Sequence, residues 1–549
     1  MRKSIVILSS FLLIFSSVKG QGFDSGGLII DPSTITAFDM FETSQTQFGF
    51  GTARSAAMAG AMTSLGGDAS SLSINPAGLG MYRSNEISIT PYMSFSKSTT
   101  NAAAFEGDKK NRFSIGGLSF IAKIRESSTG VMAINMGLAY TRLADYNYKY
   151  SFSTTGGAAN ASIADVFAGQ LAASGMTSSG LKENYDTGGY FRWDAIDPTY
   201  WGAVLGYKTG LVGDNGGIWQ RDMIAANANI DGYTTVESRG SAGEWTWSLG
   251  INFNSKFYLG ASLGLVQVNR EREVYYGEVY RYSSEPALNY RMDYFNYDQI
   301  SRLKGTGVNF KIGAIYRPIE SLRIGVAFHT PTLYNMTYQY SGGMTSQVKA
   351  INNVDEYKIN SQGYIDPPFS ERTVTLVDDG DYSWRYTTPS RLLVGVSYTI
   401  AKKVVVSVDY QRDWYQGMRV KGSPYGKGLY QDYIKDTFQG SNTLRAGIEW
   451  RVIPQVALRL GYGFWNGALK DDNTIFSTPV VCKTDYMSTG VGVALTPNIS
   501  LDFAYSYSKN TFTPYKLFYG YNSAVDYASP SFESTIARHN AMITLGFHF

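Results

Sequence analysis

Residues 51–95 read GTARSAAMAGAMTSLGGDASSLSINPAGLGMYRSNEISITPYMSF. The part before Asn75 is mostly Gly, Ala, Ser and Thr. It holds too few bulky apolar side chains to build a core of its own. Ala53 to Leu65 suits a short helix of small residues, weakened by Gly60. Asn75-Pro76-Ala77-Gly78 is a turn signal. Directly after it, Glu86 to Lys97 begins a long series of alternating segments. We read Phe48 to Arg83 as a plug of small residues and the rest of the chain as a barrel around it. Within the plug, Asn75, Pro76, Ala77 and Gly78 set the last turn. Arg54 and Asp68 are the charges placed to pin it to the wall.

Outward from the plug, fourteen segments alternate with period two. They are Glu86–Lys97, Arg112–Ile124, Gly130–Tyr150, Glu244–Phe253, Phe257–Tyr276, Leu303–Tyr316, Leu322–Ser341, Arg391–Ile400, Val404–Val420, Asn442–Val452, Val456–Trp465, Tyr486–Leu495, Ser500–Thr511 and His539–Phe549. Val456, Leu458, Leu460 and Tyr462 oppose Ala457, Arg459, Gly461 and Gly463. One face is greasy and the other carries glycine and charge. A soluble sandwich and a membrane barrel both show this pattern, with opposite faces inward. The connections separate the two. Short links of about three to five residues alternate with long ones, as periplasmic turns alternate with outward loops. Every long link then emerges at one end. The expected fold is all-β: a 14-stranded antiparallel transmembrane β-barrel with an N-terminal hatch and helical extracellular loops.

Composition agrees. The 549 residues include 41 Tyr, 29 Phe and 58 Gly but only 16 Pro, which suits strands, tight turns and aromatic girdles. A net charge of +3 asks for no nucleic acid partner. Residues 1–20 read as a signal peptide. Arg2 and Lys3 open it, Ile5 to Phe15 is its apolar core, and Val18 and Gly20 suit a cleavage site. No Cys follows the signal, so a lipid anchor is not expected. The single Cys482 makes no internal disulfide, and closed strand pairing is the remaining source of rigidity. Residues 21–85 form the lead-in and hatch, with Gln21 to Thr43 expected as a loose lead-in. Residues 86–549 form the barrel, with a long outward loop at 151–243. After the signal no apolar run is long enough for a membrane helix, which leaves closed strands as the spanning form.

Two long links carry helix signals. Ser162 is an N-cap with Asp165 three residues on, followed by Ile163, Val166, Phe167 and Leu171 at helical spacing. Asp197-Pro198 starts a second helix through Trp201 and Leu205. Phe167, Leu171, Trp201 and Leu205 are the candidate substrate-binding residues. Either the two helices pack on each other over the rim, or they roof a greasy pocket at the mouth. In the second reading, residues 342–390 with Pro367-Pro368-Phe369 form another wall. By alternation, Arg323, Lys311, Arg391, Asp409, Arg445, Glu449, Arg459 and Asp502 face the lumen. They read as a self-neutralising network or as holders of a ligand's carboxylate. The three histidines show no metal-ligand spacing, and Gly-x-Ser-x-Gly is absent. No enzyme activity, metal or cofactor is expected.

The order Gly51, Arg54, Ala59-Gly60-Ala61, Asp68-Ala69-Ser70 and Asn75-Pro76-Ala77-Gly78-Leu79 ahead of a strand series resembles the outer-membrane long-chain fatty-acid transporter family of FadL/TodX type. Strand number, helical outward loops and a last strand ending in Phe549 extend the likeness. The resemblance implies passive uptake of hydrophobic small molecules such as long-chain fatty acids. Ligand would be captured at apolar outward loops and pass the hatch, with sideways release at a kinked third strand. Leu138 to Ser151 holds no Gly or Pro to mark such a kink. The expected partners are a hydrophobic ligand, outer-membrane lipid and, through the strand ending in Phe549, the barrel-assembly machinery. The expected location is the bacterial outer membrane. Other readings of the same barrel are a docking platform for secretion or surface assembly, a haem or hydrocarbon receptor using His329, and a general porin, which a plug opposes.

Overall fold

The computed structural model describes residues 37–45, 47–101, 108–127, 130–153, 162–225, 228–282, 290–350, 358–359, 365–366, 372–376, 382–422, 427–471, 480–516, 518 and 531–549. The expected signal peptide at 1–20, residues 21–36 and Pro367-Pro368-Phe369 lie outside them. Fourteen strands form the wall: β1 Glu86–Thr100, β2 Lys109–Glu126, β3 Val131–Asp145, β4 Ala228–Phe253, β5 Phe257–Tyr282, β6 Tyr290–Ile319, β7 Leu322–His329, β8 Arg391–Ile400, β9 Val404–Trp414, β10 Gly440–Ile453, β11 Val456–Trp465, β12 Val481–Thr496, β13 Ile499–Phe512 and β14 Ser534–His548. Each strand pairs antiparallel with the next, and β1 pairs with both β2 and β14. That pairing closes the cylinder and removes the free edges of an open sheet.

The short turns gather at one end, as the alternation of link lengths requires. Two of them are tight two-residue turns in which both central residues, Asn254 with Ser255 and Ala401 with Lys402, have positive φ. That backbone matches the right-handed twist of the strands it joins.

Strand lengths differ from the sequence expectation on one side of the barrel. β4, β5 and β6 run for 26, 26 and 30 residues, so the loop expected at 151–243 ends at residue 227. The reason lies in an inversion of the side-chain pattern. Along lower β5, Leu259, Leu263 and Leu265 point outward, while Tyr258 and Ser262 are buried inward. Above Leu265, the inward residues Val266, Val268 and Val274 are buried. The outward residues there are Gln267, Asn269 and Glu271. β4 and β6 invert at the same level, because Trp245, Leu265 and Val308 are paired neighbours, as are Gly243, Gln267 and Thr306. Below that line the outer solvent is lipid; above it the outer solvent is water. The eight steps from Phe257 to Leu265, at about 3.3 Å each and tilted about 40°, rise roughly 20 Å, near the ~25 Å apolar band of outer-membrane barrels.

Three other expectations change. The segment Leu322–Ser341 breaks at Pro331, which cannot donate to a ladder; β7 ends at His329 and a new strand, Leu333–Ala350, pairs with upper β6. Val404–Val420 stops at Trp414, followed by a 3-10 turn at Tyr415–Gly417. The lead-in is not loose where it is described: Ala37–Ser44 is a helix. The loop helices form as the caps predict, at Ile163–Ser174 and Trp201–Lys208. The Ser162–Asp165 capping box is complete. Burial raises the Asp165 carboxyl from its ordinary range, opposed by Arg221.

Candidate functional site

Residues 47–82 lie inside the cylinder, and the wall is built to receive them. The helix expected from Ala53 stops at Ala57, and Ala59 and Gly60 take positive φ. The segment then winds past nearly every strand. Where it passes, the inward wall residue is repeatedly glycine. A Cβ at Gly260 would land on the Pro76–Ala77 backbone, at Gly325 on the Thr63–Ser64 backbone, and at Gly447 on Met58. Gly313 and Gly490 face Asn75 and Ala57 in the same way. Small residues on both sides let backbone approach backbone, which neither sequence stretch reveals alone.

Hydrogen bonds fix the contact. Asn75 caps its turn through Ala77 N (3.1 Å) and donates to Thr63 O at 2.6 Å. Pro76 opens the 3-10 turn, and Gly78 packs against Gly66 and Ser71 with no room for a Cβ. Arg54 donates to both Glu449 oxygens, at 2.8 and 3.2 Å. Arg459 donates to the same Glu449 at 2.7 Å and to Asp502 at 2.5 Å. Arg54 thus joins the segment to the wall. Asp68 does not. It accepts from Thr52 Oγ1 (2.8 Å) and Ser70 N (2.9 Å), bracing the segment internally.

Several holders carried no signal in the sequence, because each binds a main-chain group. Asn135 donates to Leu79 O and Tyr82 O, at 2.8 and 3.0 Å. Tyr486 donates to Ala56 O, Ser488 to Ala57 O and Ser262 to Leu72 O. Asp409 accepts from Thr63 N at 2.7 Å. His329 pairs with Ile74 O at 2.8 Å, which gives it a structural task and weakens the case for haem.

Above this segment is a cavity of about 130 Å³. Its lining includes Arg142, Lys311, Arg391 and Arg445, against the single carboxylate Glu244. Lys311 is paired with Glu244, and Arg391 with Asp413. Arg142 and Arg445 make no ion pair among the described residues. Arg142 has a buried Nη1 without a hydrogen-bond partner, and Arg445 sits over the Phe48 ring at 5.3 Å. The helix Ala37–Ser44 leads to the upper side, where Thr43 and Ser44 join the lining. Arg270, only 2% exposed, clamps it through Asp39 and Glu42. Arg270→Met removes one partner of a buried ionic cluster and is expected to destabilise the seated helix by about 3–5 kcal/mol. Limited proteolysis should then cut near residue 45 faster than in the parent.

The cavity abuts a break in the wall. Beyond the Gly117–Thr141 pair, β3 leaves β2. β3 ends at Asp145, and a strand at Tyr148–Ser153 continues on β4 alone. The cause is local: the Asp145 carboxylate accepts from Asn147 N at 2.8 Å, an Asx turn that takes the chain out of the ladder. Asp145-Tyr146-Asn147 was thus the readable signal in the third segment, in place of Gly or Pro. Among the described residues, side chains bridge the seam. Arg142 reaches Ser114 Oγ (2.6 Å) and Ile115 O (3.2 Å), and Arg112 reaches Asn147 (2.6 Å).

Phe167, Leu171, Trp201 and Leu205 do come together, but as the core of the outward roof. All are at most 2% exposed. Phe167 meets Tyr297 edge-on, and Trp201 stacks with Tyr340. The helices pack on each other and on the upper strands, and these four residues do not line the cavity.

Residues 230–517 match a family model described as outer membrane protein transport protein (OMPP1/FadL/TodX). A 47 kDa outer membrane protein of Pasteurella multocida (strain Pm70) is 26% identical over 218 residues, 39% of this chain and 47% of that protein. The match thus spans about half of that relative's length. Among solved structures, a Pseudomonas aeruginosa FadL homologue superposes with a TM-score of 0.53 at 12% identity, over 92% of this chain and 100% of that one. The P. putida toluene transporter TodX gives 0.50 at 12% identity, over 92% and 99%. At these identities the likeness establishes the barrel fold alone.

Proposed function

Because the chain belongs to the outer membrane protein transport family of OMPP1, FadL and TodX, we propose that it admits hydrophobic small molecules passively across the bacterial outer membrane. The observation that carries this reading is the end of β2–β3 pairing beyond Gly117–Thr141, beside Thr141 and Arg142 of the cavity lining. A greasy molecule leaving there enters the bilayer without crossing the water below. Segment 47–85 acts as the hatch that blocks the straight path. The cavity is small beside the ~300–1,000 Å³ of ordinary ligand sites. Admission of a long ligand therefore moves the helix Ala37–Ser44, which rests on Arg270. Phe549, 60% exposed at the end of β14, is the contact for the barrel-assembly machinery.

The ligand this cavity suits is an acyl chain with a carboxylate. Arg142, through its unbonded Nη1, and Arg445, without an ion pair among the described residues, are the groups to receive it, whereas a bare aromatic hydrocarbon would leave both unanswered. Reconstituted vesicles test this with oleate and toluene side by side. Arg142→Gln and Arg445→Gln are each expected to weaken oleate uptake about tenfold, the worth of a hydrogen bond to a charged group, and to leave toluene uptake unchanged. Oleate uptake no faster than in empty vesicles would count against the whole reading. Equal effects on both ligands would count against the carboxylate alone.

A further inference from the structure

On the outer surface, β13, β14, β1 and β2 carry the apolar band up to Phe95, with Tyr507 at the same level and Tyr505 level with Met93. One step higher, the paired row reads Asp485, Lys509, Ala537, Lys97, Lys109. Lys97 and Lys109 are directly opposite one another on adjacent strands. Like charges in that position repel and destabilise the pairing, yet both are exposed, as is Lys509. None of the three makes an ion pair among the described residues. Asp485, at the end of this row and opposite Lys509, is paired with Lys483 at 3.3 Å. His539, just below, is occupied with Tyr505. Asp108, beside Lys109, is engaged by Lys149. Among the described residues, no carboxylate pairs with any of the three ammonium groups.

On the opposite sector, at the corresponding height, nature of the wall differs. There Arg239 meets Glu237 at 3.0 Å and Arg302 meets Glu271 at 2.6 Å. Arg239 and Arg302 are thus neutralised on that side, whereas Lys97, Lys109 and Lys509 make no ion pair among the described residues on this one.

We infer that Lys97, Lys109 and Lys509 dock the phosphorylated head group of the outer-leaflet glycolipid. The inference rests on the membrane placement of the barrel and not on its transported ligand. The row lies at the outward end, immediately above the apolar band, where an acyl chain lying on Phe95 and Tyr507 places its phosphates. An anion there relieves the Lys97–Lys109 repulsion. β2 belongs both to this patch and to the seam, so the docked lipid stands beside the opening.

Native mass spectrometry of the full barrel, extracted in mild detergent, reads the bound lipid. The parent is expected to retain phosphorylated glycolipid. K97Q/K109Q/K509Q is expected to bind it about 125-fold more weakly, from about fivefold for each cation near an anionic surface. K304Q, the loss of one cation on the far sector, is expected to match the parent. If the triple variant fails to fold by heat-modifiable gel mobility, K97Q/K509Q is expected to lose about 25-fold. Unchanged retention by the folded variant overturns the patch. Full displacement by inorganic phosphate alone, or equal retention of phosphatidylglycerol, overturns the assignment to glycolipid.

Discussion

Gly260→Leu is expected to turn the closed barrel into a leaking one. Gly260 faces inward on β5, and its missing Cβ is replaced by the Pro76–Ala77 backbone. A side chain there meets main chain, which no rotamer change can clear. The wall is held by ladders on both sides of β5, while the inner segment is held by scattered hydrogen bonds. The inner segment therefore yields. Overpacking of this kind costs about 1–3 kcal/mol, enough to shift a segment whose anchors are each worth about 1 kcal/mol. Single-channel recordings in planar bilayers should show steady open conductance, and cells carrying the variant should become sensitive to bulky hydrophilic antibiotics. Ala261→Leu, one residue on and facing lipid, serves as the control. A closed Gly260→Leu channel would mean that the inner segment is no barrier.

The second large effect belongs to Glu449. It is the one carboxylate shared by Arg54 of the inner segment and Arg459 of the wall. Side-chain exposure is 10% for Glu449 and 6% for Arg459, but 22% for Arg54, so water screens part of the interaction. Glu449→Ala leaves two guanidiniums facing each other and is expected to cost about 3 kcal/mol, the low end for a broken buried pair. The barrel ladder survives, because none of its hydrogen bonds involves this side chain. The expected result is a lower thermal midpoint for loss of inner-segment protection, read by amide exchange across residues 53–67, with far-ultraviolet strand signal retained. If exchange at those residues matches the parent, Arg54 is ornamental and other contacts hold the segment.

Much of the architecture was open to reading in one dimension. Alternation such as Val456 to Tyr462 against Ala457 to Gly463 marks a wall with two solvents, and the unequal links fix which ends meet. Asn75-Pro76 announces its turn because proline has only one φ and asparagine caps its own neighbour. Ser162 with Asp165 announces the loop helix in the same local way. These signals depend on residues a few positions apart.

What pairs distant residues was decided only by the folded chain. Gly260, Gly313 and Gly325 look like ordinary strand glycines until Pro76, Asn75 and Thr63 are laid against them. Asp68 and Arg54 read alike as wall anchors, yet one closes on Thr52 and the other crosses to Glu449. Phe167 and Trp201 read either as helix packing over the rim or as the roof of a pocket, and in the folded chain both are buried against Tyr297 and Tyr340. The height at which β4, β5 and β6 exchange lipid for water was hidden too, since a period of two survives the inversion and only the identity of the buried face changes. Local stereochemistry is written in the order of residues; closeness between strands, and the solvent each face meets, exists only once the cylinder has closed.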